Sequence, residues 1–217
     1  HGTKPEDLID VDIADWRRVV KEQVGLLRSE VPDVYLGGFS TGANLVLEYA
    51  LDNDQAISGL LLFSPAFKSS MSMDWVTPWL AKVRTWMISP DEMRQQQTAV
   101  RYMNVPSNGF AQYYHSSTAV REKLADKTYR KPALLVAAEH DSVVDVEYLR
   151  QIFTERFPHP DSRMIWYGEL NAPEPRILVR PDRLEAQRIS QFSHMSVLFS
   201  PTNPQYGRDG SQRMCNN

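Results

Sequence analysis

Five residues constrain this chain more than any others: Gly38-Phe39-Ser40-Thr41-Gly42, a G-x-S-x-G sequence between an apolar run and a helical pattern. Before it, Val34 to Phe39 reads as a short strand buried on both faces. After it, a helix is expected from about Ala43 to Leu51. A serine on so sharp a strand-to-helix turn takes strained dihedrals, and glycines two before and two after it let neighbouring backbone approach. Its Oγ then stands at the carboxyl edge of a sheet, over a helix N-terminus, where the Thr41 N–H can stabilise an oxyanion. The plainer alternative is a Gly/Ser turn that does no chemistry; the flanking strand and helix favour catalysis.

The rest of the chain repeats the same alternation. From Asp10 to Arg28 the apolar residues Ile13, Trp16, Val20, Val24 and Leu27 recur at helical spacing, with Asp12 or Asp15 to serve the N-terminus. Pro32-Asp33 ends that pattern. Ile57 to Phe63, Pro132 to Ala138 and Arg163 to Tyr167 read as further buried strands, and Val146 to Phe157 as a helix. Strands alternating with helices predict a parallel sheet with right-handed crossovers. Between Pro65 and Lys131 the alternation stops, and the stretch is rich in Trp, Met and Tyr. It is expected to form a helical cap (residues 65–131) over a core made of residues 1–64 and 132–217. Beyond Tyr167, Arg176 to Val179 and Arg188 to Phe192 are expected to pair as a short hairpin.

A serine hydroxyl is a weak nucleophile near neutral pH, so a histidine must take its proton and a carboxylate must hold that histidine in the right tautomer. In a G-x-S-x-G fold of this kind the chain order is serine, acid, histidine. Asp141 follows the Pro132–Ala138 strand at the right edge, with Glu139 and Asp145 as competitors; Asp145 also suits a helix cap. Of the five histidines, His1, His115, His140, His159 and His194, only His194 lies beyond the last expected strand. The expected catalytic set is Ser40, Asp141 and His194.

Composition removes several other classes. Lys plus Arg number 24 against 27 Asp plus Glu, a net charge of −3, which gives no reason to expect nucleic acid as a partner. The single Cys215 rules out an intrachain disulfide and a thiolate zinc site, and no H-x-x-x-H spacing points to a metal. No cofactor is expected. No run approaches the roughly 18 apolar residues that span a bilayer; the chain reads as soluble, and the sequence leaves its compartment open with the cytoplasm slightly favoured. The chain opens at His1-Gly2 without an initiator Met, so a targeting signal would lie upstream.

These residues resemble the α/β-hydrolase superfamily, and within it the carboxylesterase and monoacylglycerol-lipase type of serine hydrolase. The similarity rests on His1-Gly2-Thr3-Lys4-Pro5-Glu6-Asp7-Leu8, Asp15-Trp16, Gly38 to Gly42, Ala138 to Val144, and Ser193-His194. In that family such an H-G loop follows the fourth strand. The resemblance therefore implies that early strands and one oxyanion donor are absent here, to be supplied by an N-terminal segment or another chain. Met71, Met73, Trp75, Trp79, Trp86, Met87 and Met93, with Tyr102, Phe110, Tyr113 and Tyr114, suit a lid over an uncharged acyl chain, although any helix packed on a sheet also needs an apolar face. Phe39, Trp75, Trp79 and Met195 are the expected substrate contacts. The expected reaction is hydrolysis of a small uncharged carboxylic ester; a thioesterase or peptidase using the same triad, and a non-catalytic ligand-binding protein, are the alternatives.

Overall fold

Short apolar strands cannot satisfy their backbone singly, and here they pair edge to edge in sequence order. In the computed structural model, β1 (Tyr35–Phe39), β2 (Gly59–Phe63), β3 (Ala133–Ala138), β4 (Arg163–Tyr167) and β5 (Ile177–Arg180) form a five-stranded sheet, order β1-β2-β3-β4-β5, every pair parallel. The structure describes residues 4–88, 92, 102–171, 174–187, 189–200, 202–206 and 209–210. His1, Gly2, Thr3, Met93, Arg188 and Cys215 lie outside the described residues.

The helices are α1 (Ile13–Glu30), α2 (Thr41–Asp52), α3 (Thr77–Val83), α4 (Ser107–Asp126) and α5 (Val146–Arg156). Both candidate aspartates start α1: Asp12 accepts from the Ala14 N–H at 2.7 Å, and Asp15 accepts from the Asp12 N–H at 3.2 Å. The expected apolar face of α1 is only partly used. Val24 is buried, but Leu27 is 42% exposed.

The core lies on one face of the sheet. Leu36, Leu60, Leu62, Leu135, Ala137, Met164, Trp166 and Ile177 form one apolar cluster with Leu47 of α2, Val120 and Leu124 of α4, and Phe153 of α5. Strand residues alternate faces, so their sequence neighbours point the other way. On that opposite face Leu61 and Leu178 remain 40% exposed, and on β1 Tyr35 is 60% exposed. Strands this apolar are the kind that become covered on both sides. A short 3-10 helix at Ser196–Leu198 approaches β3.

One expectation is overturned. Among the described residues, Arg176 to Val179 does not pair with Ile189 to Phe192 as a hairpin: Ile177–Arg180 is instead the fifth parallel strand, with Met164 facing Ile177 and Trp166 facing Val179. The free edge of β4 offers four successive partners. An antiparallel bridge between Leu184 and Ile189 is what the structure holds of the expected hairpin's second arm. Within the expected cap, α3 packs against α4, and α4 in turn packs on α2.

Candidate active site

The carboxyl ends of three adjacent strands build the site. β1 ends at Phe39 and α2 begins at Thr41, so Ser40 occupies the turn between them, with φ 54° and ψ −122°. Such a positive φ is costly for a residue with a Cβ and persists only where the surroundings impose it. Here the Ser40 N–H donates to the Phe63 carbonyl at 3.0 Å, and the Ser40 carbonyl accepts from the Ala43 N–H at 3.0 Å and the Ala66 N–H at 3.3 Å. Thr41 is the first residue of α2, and the amide of a helix's first residue has no intrahelical acceptor. It is free to meet an oxyanion.

The two glycines of the motif are not equivalent, contrary to expectation. A Cβ on Gly38 would stand 2.5 Å from the Ala43 nitrogen and from the Gly42 oxygen, whereas one on Gly42 would meet nothing within 4 Å. Only Gly38 is required by close approach. Gly38→Ala is expected to push α2 off β1 and lower stability by about 2–3 kcal/mol, while Gly42→Ala stays within about 1 kcal/mol of wild type. Urea unfolding of the two variants checks the contrast, and equal losses would refute it.

β3 ends at Ala138, and the turn after it carries Glu139, His140 and Asp141. The Asp141 side chain is fully buried; its Oδ1 accepts the Val143 N–H at 2.8 Å and the Val144 N–H at 3.3 Å. Oδ2 lies 2.6 Å from His194 Nδ1, and His194 Nε2 lies 2.9 Å from Ser40 Oγ. The structure thus brings Ser40, His194 and Asp141 into one continuous chain of hydrogen bonds. The two competing carboxylates have other partners. Glu139 accepts the Glu169 N–H at 2.6 Å, bracing the turn after β4. Asp145 is the N-cap of α5, accepting the Tyr148 N–H at 3.0 Å, and pairs with Lys68 at 2.8 Å. Burial alone would raise the Asp145 carboxyl, but the Lys68 ammonium and the Tyr148 amide outweigh it and hold it below its ordinary value.

The expected substrate contacts differ in their surroundings. Phe39 stands against the His194 imidazole, ring centroids 4.9 Å apart. Trp75 and Trp79 are 56% and 71% exposed, and Trp79 lies under the Lys82 ammonium at 5.4 Å. Met195, half-buried, precedes the 3-10 helix beyond the histidine. Sequence reasoning missed two further contacts. His140 Nδ1 lies 2.7 Å from Asp182 Oδ2, tying the turn after β3 to the segment after β5. Ser64, after β2, is fully buried with φ 39° and donates from Oγ to the His194 carbonyl at 2.8 Å. Ser64-Pro65 follows directly on the expected Ile57–Phe63 strand, and nothing in that pair signals such a conformation.

A family model described as serine aminopeptidase, S33, matches residues 8–171. The chain belongs to this family. Solved structures agree on the α/β-hydrolase fold. The S33 chain is similar to a structure reported with the metagenome-derived lipolytic enzymes LipS and LipT, at 15% identity and TM-score 0.65, covering 77% of this chain and 68% of that one. It is similar to the monoacylglycerol lipase of Paleococcus ferrophilus, at 16% identity and TM-score 0.55, covering 72% and 65%. A soluble variant of the Saccharomyces cerevisiae monoglyceride lipase, in complex with a substrate analogue, gives 16% identity and TM-score 0.52, covering 72% and 61%. The chain therefore spans somewhat under two thirds of the two lipases' length. A search of curated protein sequences finds no match. Among the described residues, no cluster of His, Cys, Asp and Glu suits a metal ion, and no helix is long and apolar enough to cross a membrane.

Proposed function

We propose that this S33 hydrolase cleaves small, uncharged carboxylic esters through an acyl-enzyme. Ser40 Oγ attacks the ester carbonyl while His194 Nε2 takes its proton. The Thr41 amide binds the developing oxyanion, and His194 returns the proton to the leaving alcohol. Water then repeats the sequence on the acyl group. Asp141, by accepting from Nδ1, keeps Nε2 unprotonated and ready. The observation that carries this reading is the relay from Ser40 Oγ through His194 to Asp141, 2.9 Å and 2.6 Å long. In this scheme residues 65–131 serve as the lid, with Phe39, Trp75, Trp79 and Met195 as the apolar contacts to the acyl group. The exposed sheet face at Leu61 and Leu178 is the surface that an N-terminal segment or another chain would cover.

A fluorophosphonate probe is expected to label Ser40 and stop hydrolysis of short p-nitrophenyl esters. Attachment at another residue, or an undiminished rate in Ser40→Ala, would remove the proposal. The family description favours a second reading, release of an N-terminal amino acid by the same machinery. Amino-acid p-nitroanilides set beside p-nitrophenyl esters in one assay separate the two.

A further inference from the structure

The whole site converges on the end of β2, at Phe63 and Ser64. The Phe63 carbonyl accepts the Ser40 N–H at 3.0 Å, the Ser64 N–H donates to Val136 of β3 at 2.7 Å, and the Ser64 Oγ donates to the His194 carbonyl at 2.8 Å. Two consecutive residues thus touch the nucleophile, the strand leading to Asp141, and the base. We propose that Ser64 is a positioning residue for His194, setting the distance from Nε2 to Ser40 Oγ; this rests on the esterase reading above.

Three physical features support the assignment. His194 lies far from any strand in sequence, in a tight turn closed by the Ser196 N–H on the Ser193 carbonyl at 3.1 Å and the Ser193 N–H on Ser196 Oγ at 3.0 Å. Those bonds shape the turn but leave its place over the sheet open. The Ser64 bond fastens the turn's backbone, at the base itself, to the end of β2. Second, Ser64 is fully buried, so its hydroxyl has no water to exchange with, and the His194 carbonyl would lose its partner if the hydroxyl went. Third, Ser64 holds φ 39° directly before Pro65, a conformation disfavoured for a residue with a Cβ. Strain of that kind, kept at the same end of the sheet as the strained Ser40, is where a fold stores geometry that its function needs. The Phe39 ring against the imidazole restrains its tilt but not its height.

Ser64→Gly removes the hydroxyl while easing the positive φ, and Ser64→Ala removes it while keeping a Cβ, so the pair separates hydroxyl from backbone. Both are expected to lower kcat for a p-nitrophenyl ester by about tenfold to a hundredfold, because small displacements of a reacting group carry losses of that size. KM should stay within about threefold, and the labelling rate of Ser40 should fall in step with kcat. The His194 imidazole nitrogen signals, assigned by their absence from His194→Gln, should keep the Nδ1–H tautomer that Asp141 imposes, with the Nε2 signal shifted in the variants as its hydrogen bond to Ser40 Oγ lengthens. A drop in melting temperature with kcat and the imidazole signals unchanged would make Ser64 merely structural and overturn the inference. If the wild-type chain neither hydrolyses esters nor labels at Ser40, the esterase reading fails separately. The imidazole signals then decide alone: unchanged in Ser64→Gly, they overturn the positioning role; altered, they support it.

Discussion

Asp141→Asn is expected to leave the fold standing and lower kcat for ester hydrolysis by about 10⁴-fold. The reason is an atom-by-atom constraint. Oδ1 of Asp141 accepts two backbone amides, from Val143 at 2.8 Å and Val144 at 3.3 Å, and those donors demand an oxygen. An asparagine here must therefore turn its NH₂ toward His194 Nδ1, which a carboxylate oxygen faces at 2.6 Å. A donor in that place obliges Nδ1 to accept, so the imidazole proton moves to Nε2. Nε2 can then no longer take the proton of Ser40 Oγ, 2.9 Å away. Shape and packing barely change, so the loss belongs in kcat, with circular dichroism and KM near the wild type. A rate within tenfold of wild type would show that Asp141 does not set the tautomer.

Trp166→Ala should cost about 3–5 kcal/mol of folding stability, the largest effect expected away from the site. Trp166 sits mid-strand in β4, 1% exposed, paired in register with Ala137 on one side and Val179 on the other. Its ring joins the same cluster as Phe153 of α5 and Leu135 of β3, and its indole N–H donates to the Glu169 carbonyl at 3.3 Å. Truncation removes the ring's contacts and opens a cavity that neighbouring strands, held by their ladders, cannot collapse to fill. With total stability of only about 5–15 kcal/mol expected for a domain, the variant stands near the edge of folding. Urea unfolding should show a much lower midpoint with an unchanged slope. A loss below about 1 kcal/mol would mean that the core repacks around the gap.

Four of the strands and the helices α1, α2 and α5 were legible because their signal is local: apolar runs of five or six residues, helical spacing, and a proline or aspartate at the boundary. Ile177–Arg180 was misassigned for a related reason. Five apolar or basic residues between prolines look alike as a hairpin arm or a parallel edge strand, and only the vacant edge of β4 chooses between them. Likewise G-x-S-x-G named two glycines as equals, and packing separated them, since α2 passes close over Gly38 but not over Gly42.

The sequence by itself determined the alternating parallel architecture, the turn that exposes Ser40, and a short slate of acids and bases ordered along the chain. Tertiary structure decided which of them meet. It gave Glu139 to the Glu169 amide and Asp145 to Lys68 and the start of α5, leaving Asp141 to face His194. It also enlisted Ser64, which no motif marks. Hydrophobic periodicity is written residue by residue in one dimension, whereas a hydrogen bond between positions 53 or 154 apart exists only once the sheet has set its strand ends side by side.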